Sequence, residues 1–91
     1  MIPMPTRARR TDANHKPVVE ALRACGWLVF DTHALPNFID VVAYHPSRDV
    51  VRLVEIKDGP KKTMTMAQWD MIAAGWPIRT VHSVQDAINL R

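Results

Sequence analysis

The sequence predicts a small α/β domain in which helices pack on a mixed sheet. Two apolar, β-rich runs flank the polar segment 45–49 (HPSRD), which is typical of an antiparallel hairpin. Apolar residues at helical spacing follow possible cap residues in two other segments, 15–25 and 66–76. Another β-rich run, 78–82, follows the second of these segments. The predicted order is helix, three strands, helix, strand, helix.

Length and composition limit the function classes. The 91 residues suffice for one domain with one modest core. With 47% hydrophobic and 23% charged residues, wholesale disorder is not expected. The net charge of +3 and the isoelectric point near 9.5 permit a polyanionic partner without requiring one.

Cysteine content and hydropathy indicate the compartment. Cys25 is the only cysteine, so an internal disulfide and a cysteine-based zinc site are both excluded. Its place at the end of the first helix predicts a buried thiol. The sequence has neither an apolar run long enough for a membrane span nor a signal-peptide core, and we expect a cytoplasmic protein with no membrane partner.

Residues 1–11 are predicted to be a flexible basic arm ahead of a domain that spans residues 12–91. The arm holds two prolines, followed by Arg7, Arg9 and Arg10. Prolines and closely spaced charges favour extended backbone. The arm could lie along a phosphate backbone or be a solvated terminus, and the sequence leaves both possibilities open.

The first helix is predicted to begin after Asn14 as N-cap and to end at Gly26. Pro17 falls in the first turn, where a proline removes no intrahelical hydrogen bond. Helical spacing places one buried stripe along His15, Val18, Leu22 and Cys25, with Val19 beside it. His15 therefore stands at the end of the buried face.

Strands are predicted over 27–32, 38–44 and 51–59, with a loop at 33–37. Pairing across the hairpin brings Asp40, early in the second strand, to the end of the third strand beside Glu55. Side chains alternate along a strand, so Lys57 shares a face with Glu55. One interpretation is that the strand simply runs out into solvent. The other is that the two carboxylates converge on a cation, for which Mg²⁺ or Mn²⁺ is suited.

The second helix is predicted to begin at Thr65 and to end near Gly75 and Pro77. Thr65 and Gln68 have the spacing of a capping box. An apolar stripe of core or dimer contacts is predicted at Met66, Trp69, Ile72, Ala73 and Trp76. A strand at 78–82 and a short helix from Ser83 complete the chain, with Val84, Ala87 and Ile88 predicted to face inward.

The combination of Asp40 with Glu55-Ile56-Lys57 on the next strand resembles the PD-(D/E)xK nuclease superfamily. The segments 12–15 (DANH), 55–59 (EIKDG), 65–68 (TMAQ) and 81–83 (VHS) are together similar to the virus-type replication-repair nucleases (VRR-NUC). The resemblance extends from about Arg10 to the C-terminus. It departs from the family at Ile39, because relatives tend to have a proline directly before the aspartate.

The resemblance implies a restriction-endonuclease-like α-β-β-β-α-β-α core. Asp40, Glu55 and the Ile56 carbonyl would then hold Mg²⁺ or Mn²⁺, and Lys57 would orient or deprotonate a water molecule. His15 and Gln68 would reach the same site, or would only cap their helices. The sequence leaves both roles open.

The implied activity is metal-dependent endonucleolytic hydrolysis of DNA, selective for structures such as four-way junctions or flaps. Such activity belongs to phage-type replication, recombination or repair in a bacterial or phage-infected cell. The resemblance also implies a homodimer. Arg7, Arg9, Arg10, Lys61 and Lys62 are candidate phosphate contacts, and a solvated turn is the other interpretation of Lys61 and Lys62. Two alternatives stay open: a non-catalytic DNA-binding module with a nuclease fold, and an unrelated α/β interaction protein.

Overall fold

The computed structural model describes residues 13–58 and 64–91. The predicted arm 1–11, and the predicted phosphate contacts Lys61 and Lys62, lie outside the described residues. The elements are, in chain order, α1 His15–Ala24, β1 Leu28–Asp31, β2 Val41–His45, β3 Val50–Ile56, α2 Met66–Ala74, β4 Ile78–Val81 and α3 Val84–Ile88. The predicted order of helices and strands is confirmed. Within the described ranges, no helix is long and apolar enough to cross a bilayer.

The four strands form one mixed sheet in the order β1-β2-β3-β4. β1 and β2 are antiparallel, β2 and β3 are antiparallel, and β4 is parallel to β3. Val41 pairs with Val54 across the hairpin, so the next residues outward are Asp40 and Glu55. The hairpin therefore brings these two carboxylates to the same end of the sheet, as its sequence predicts.

The hydrophobic core lies between one face of the sheet and the helices α1 and α3. Val18 and Leu22 of α1 pack there with Val41 and Val54 of the central strands, and all four are fully buried. Their burial contributes roughly 1.5–3 kcal/mol per side chain. Of the three α3 residues predicted to face inward, only Ala87 is buried, since a helix of five residues presents little more than one turn to the core.

The predicted burial of Cys25 is wrong, because its thiol is exposed. α1 ends at Ala24, and Cys25 occupies the C-cap with φ −89° and ψ 9°. The regular helical stripe therefore stops one residue before Cys25. The rest of the predicted stripe is confirmed, with His15, Val18, Val19 and Leu22 buried.

The opposite face of the sheet and the helix α2 carry exposed apolar side chains. Phe30 is 74% exposed and Leu28 is 62% exposed on the outer strand β1. Trp69 and Trp76 are about half exposed, and Gln68 is the buried residue of α2. The prediction that the α2 stripe belongs to the core is wrong for Met66, Trp69, Ala73 and Trp76, which are exposed, and Ile72 is only half-buried. A role of the stripe in a dimer contact stays a prediction.

Replacing Gly26 by alanine is expected to lower the free energy of unfolding by about 2 kcal/mol. Gly26 has φ +97°, and a Cβ there would lie 3.1 Å from Nε2 of His45. Gly75 is the matched control, since its φ is +109° but a Cβ would meet no atom within 4 Å. Gly75→Ala should therefore cost only about 1 kcal/mol, the backbone contribution. Equal losses in urea titrations of both variants would contradict the contribution of His45.

Candidate functional site

Four polar side chains meet at the end of the sheet that is farthest from the β2–β3 turn. Asp40 directly precedes β2, and Glu55 is the second-last residue of β3. Lys57 directly follows β3, and Gln68 is in the first turn of α2. Each is less than 9% exposed. Asp, Glu and Lys are seldom this buried without partners, so their burial together marks a specialised site.

The backbone holds Asp40 and Lys57 in place. The Ile56 N–H donates to Asp40 Oδ2 at 2.8 Å, which attaches the Asp40 carboxylate to the neighbouring strand. The Lys57 N–H donates to the Val81 carbonyl at 2.9 Å and continues the pairing of β3 with β4. The Lys57 side chain turns back, and its Nζ lies 3.1 Å from Glu55 Oε2. The Lys57 ammonium thus pairs with Glu55, whose carboxyl also feels the negative charge of Asp40.

The environment of Glu55 disfavours the charged form of its carboxyl group. Burial raises the pKa of its carboxyl above the usual 4.5, the negative charge of Asp40 raises it further, and Lys57 and Gln68 only partly oppose these effects. Glu55 Oε1 is buried and has no hydrogen-bond partner among residues 13–58 and 64–91. A buried carboxylate oxygen without a partner is costly unless a cation or an ordered water binds there. The Ile56 carbonyl as a further ligand stays a prediction.

Gln68 caps α2, and its role in the chemistry of the site stays a prediction. Its Oε1 accepts from the Thr65 N–H at 3.0 Å and Thr65 Oγ1 accepts from the Gln68 N–H, so the predicted capping box is present. The other end of the amide, Nε2, donates to the Phe38 carbonyl at 3.3 Å, two residues before Asp40. The same amide helps to lower the pKa of Glu55. Gln68 therefore ties the first turn of α2 to the loop that carries Asp40.

The structure places His15 beside Asp31, with Nε2 2.9 Å from Asp31 Oδ2. Asp31 pairs with Val41, and Val41 pairs with Val54, so these three side chains share the sheet face that α1 covers. Glu55 follows Val54 in β3, so its side chain points to the opposite face. The buried stripe of α1 that includes His15 packs on the first of these faces. His15 therefore contacts Asp31 on the α1 face of the sheet, and a role for His15 in the chemistry of Glu55 stays a prediction.

Asn14 has a role that sequence reasoning did not find. Its side chain makes no capping hydrogen bond, although it occupies the N-cap position of α1. Instead Nδ2 donates to the carbonyls of Lys57 and His82, each at 2.9 Å. Asn14 therefore joins the ends of β3 and β4 next to Lys57. These contacts cross 43 and 68 residues of chain, and no local pattern signals them.

The stability contributed by Glu55 should depend on pH. Because its folded-state pKa is raised, the folded protein binds more protons than the unfolded chain between about pH 4.5 and that raised value. The free energy of unfolding should therefore fall as pH rises through this window. Glu55→Gln should make the free energy of unfolding less dependent on pH within this window. Excess Mn²⁺ should raise the melting temperature of the wild type by several degrees near neutral pH. Matching pH profiles for wild type and Glu55→Gln would contradict the raised pKa.

Comparisons of the chain with protein-family models, with curated proteins and with solved structures gave no match. The likeness to the nuclease families therefore stays a resemblance carried by a few motifs. Asp40, Glu55, Lys57 and Gln68 form a buried polar group that we call the carboxylate site.

Proposed function

We propose that the protein is a metal-dependent endodeoxyribonuclease and that Mg²⁺ or Mn²⁺ binds at the carboxylate site. The observation that carries this proposal is the buried Glu55 Oε1, which has no hydrogen-bond partner in the described part of the chain and lies beside a second carboxylate. Lys57 contacts the other oxygen of Glu55, Oε2, at 3.1 Å. A divalent cation would give Oε1 a partner, and a set of carboxylate and carbonyl oxygens is typical of sites for hard ions.

Asp40 and Glu55 would hold the ion, with the Ile56 carbonyl as a further ligand. When bound, the ion would supply a water of lowered pKa and would neutralise charge on the phosphate. The Lys57 ammonium, within hydrogen-bond distance of Glu55, would orient that water or contact a phosphate oxygen. Asp40 has little freedom to move because the Ile56 N–H holds one of its oxygens. Gln68 would keep the Asp40 loop against α2.

The fold supports this assignment at a coarser level. The element order α-β-β-β-α-β-α, with β4 parallel to β3, agrees with the restriction-endonuclease-like core that the resemblance implies. Here Asp40 directly precedes β2 and Glu55 lies in β3, so the two carboxylates are carried by consecutive strands of the hairpin or the residue next to them. The VRR-NUC resemblance adds the expectation of branched DNA, such as four-way junctions or flaps, as substrate. It also gives replication, recombination or repair as the setting.

A second copy of the chain is the partner that we propose for the exposed apolar face. Phe30 of β1 shares a sheet face with Val42 and Leu53, and the half-exposed Trp69 and Trp76 belong to α2. β1 is the outer strand of the sheet, so its backbone can pair across a two-fold axis. Two sites in one dimer would suit cleavage of two strands at a junction.

Phe30→Lys is expected to convert the dimer to a monomer in sedimentation equilibrium at micromolar concentrations. A charge at the centre of an apolar interface weakens association by 100-fold or more, since the unpaired ammonium must be desolvated. Val84→Lys is the control, because Val84 is 40% exposed on α3, away from this face, and this variant should stay dimeric. A wild-type protein that sediments as a monomer would contradict the proposal.

The alternative function is a DNA-binding module that does not turn over. The net charge of +3 would suit phosphate contacts. However, a pure binder gains nothing from two buried carboxylates, which repel DNA and cost stability. One experiment distinguishes the two functions. It measures cutting and binding of labelled four-way junction, flap, linear duplex and single-stranded DNA by tag-free protein. We expect Mg²⁺- or Mn²⁺-dependent cutting, greatest on branched DNA. Salt-sensitive binding without cutting would favour the binding module.

A further inference from the structure

A second cluster of ligand-type side chains lies on the α1 face of the sheet, opposite the face of the carboxylate site. It consists of His15 in the first turn of α1, Asp31 at the end of β1, and His33 in the following loop. Each offers one ligand atom, and these three atoms lie within 4.8 Å of one another. We call these three residues the histidine cluster.

The Asp31 carboxylate stands between the two imidazoles. Its Oδ2 is 2.9 Å from His15 Nε2, and its Oδ1 is 3.2 Å from His33 Nδ1. The His33 backbone N–H donates to the same Oδ1 at 3.0 Å, and the two imidazole centroids are 5.0 Å apart. In a tetrahedral zinc site with bonds of about 2.0–2.1 Å, neighbouring ligand atoms are roughly 3.3 Å apart. The three donors therefore need only small rotamer changes to surround one ion.

Burial and charge also suit a cation. His15 is 6% exposed, whereas Asp31 and His33 remain partly open to solvent, so an ion has an entry path to a largely fixed first ligand. The Asp31 carboxylate supplies an anionic oxygen ligand between the two imidazoles.

We propose that His15, Asp31 and His33 bind a divalent transition-metal ion of the zinc class. Two imidazoles and one carboxylate are ligands that select Zn²⁺ and its neighbours over Mg²⁺. The carboxylate site lacks imidazole, so the two sites differ in metal preference. This inference is independent of the proposed nuclease function and requires no DNA.

The ion would stabilise the loop that delivers Asp40 to the carboxylate site. Thr32, directly after Asp31, donates its N–H to the Asp40 carbonyl and its hydroxyl to the Ile39 carbonyl, each at 2.8 Å. These two bonds close the segment from residue 32 to residue 40 at its base. Linking Asp31 to His15 and His33 through a metal would attach this closed loop to the first turn of α1. The metal would therefore act as a structural clamp.

The test is titration of the tag-free, metal-stripped protein with Zn²⁺ and with Co²⁺, followed by calorimetry and by the visible absorption of bound Co²⁺. We expect one high-affinity Zn²⁺ per chain, which displaces Co²⁺ whereas millimolar Mg²⁺ does not. Saturating Zn²⁺ should raise the melting temperature by about 5 °C or more. His33→Ala and Asp31→Asn should each weaken Zn²⁺ binding at least 100-fold.

Two variants serve as controls. His82→Ala removes a histidine that also faces an aspartate, at 3.7 Å from Asp86, and it should leave Zn²⁺ binding unchanged. Asp40→Asn should do the same, which separates this site from the carboxylate site. Circular dichroism of His33→Ala and Asp31→Asn checks that both fold. Absence of saturable Zn²⁺ binding, equal binding by folded His33→Ala, or loss of binding in Asp40→Asn would each overturn the proposal.

Discussion

Replacing Lys57 by methionine is expected to slow DNA cleavage by about 10³-fold while Mn²⁺ binding is retained. Methionine fills a similar volume but has no charge to orient water or to contact a phosphate oxygen. The Lys57 ammonium is buried and lies 3.1 Å from Glu55 Oε2, so no solvent cation replaces it easily. Cleavage rates should be measured with excess protein over labelled DNA, and Mn²⁺ binding should be measured by calorimetry on the same preparation.

Two comparison variants make this result specific to Lys57. Lys16→Met removes an exposed ammonium from α1 and should cleave at the wild-type rate. Asp40→Asn should lose both cleavage and Mn²⁺ binding, because it removes a proposed ligand. Cleavage by Lys57→Met within threefold of wild type would exclude a role for this ammonium in the reaction.

Trp27→Ala is expected to lower the free energy of unfolding by about 3–5 kcal/mol, a large part of the stability of a domain this size. Trp27 is 2% exposed and belongs to the hydrophobic core. Its ring meets the edge of His45 at a centroid distance of 5.0 Å, and the Arg48 guanidinium lies 5.2 Å from the ring centroid. Truncation would leave a cavity beneath the β2–β3 hairpin. Urea denaturation followed by circular dichroism gives the loss.

Trp69 and Trp76 provide matched controls with the same side chain in another environment. Each is about half exposed, so Trp69→Ala and Trp76→Ala should cost under about 1 kcal/mol in the monomer. A loss of 3 kcal/mol or more from either would show that α2 is packed more tightly than its exposure indicates. Equal small losses at all three positions would contradict the assignment of Trp27 to the core.

Much of the fold could be predicted from local patterns. The hairpin follows from two β-rich runs around 45–49, and its register needs only the turn length, which fixes Asp40 opposite Glu55. The stripe of α1 from Val18 to Leu22 follows from helical spacing. The capping box of α2 also depends on residues three apart. Each of these features is determined within a short stretch of chain, which is why sequence patterns reveal it.

Features that depend on which sheet face a helix covers were not predictable. The apolar spacing of α2 indicates burial, but Trp69 of that helix is exposed. No pattern in the sequence of a single chain reveals this exposure. The sequence leaves His15 open between a site residue and a helix cap, and its contact with Asp31 depends on the sheet face that α1 covers. His15 meets Asp31 and His33 because the start of α1 lies against the end of β1. The spacing of residues in the sequence does not predict how these two elements are placed relative to each other.

Metal-dependent nuclease activity is tested most directly by cleavage of a four-way junction with Mn²⁺, with wild-type protein and Glu55→Gln prepared side by side. Glutamine keeps the shape of Glu55 but removes the charge and one acceptor at the buried Oε1 position. We expect cutting by the wild type that EDTA abolishes, and a loss of at least about 10³-fold in the variant. Intact DNA with the wild type under every metal condition, or equal cutting by Glu55→Gln, would contradict the proposal.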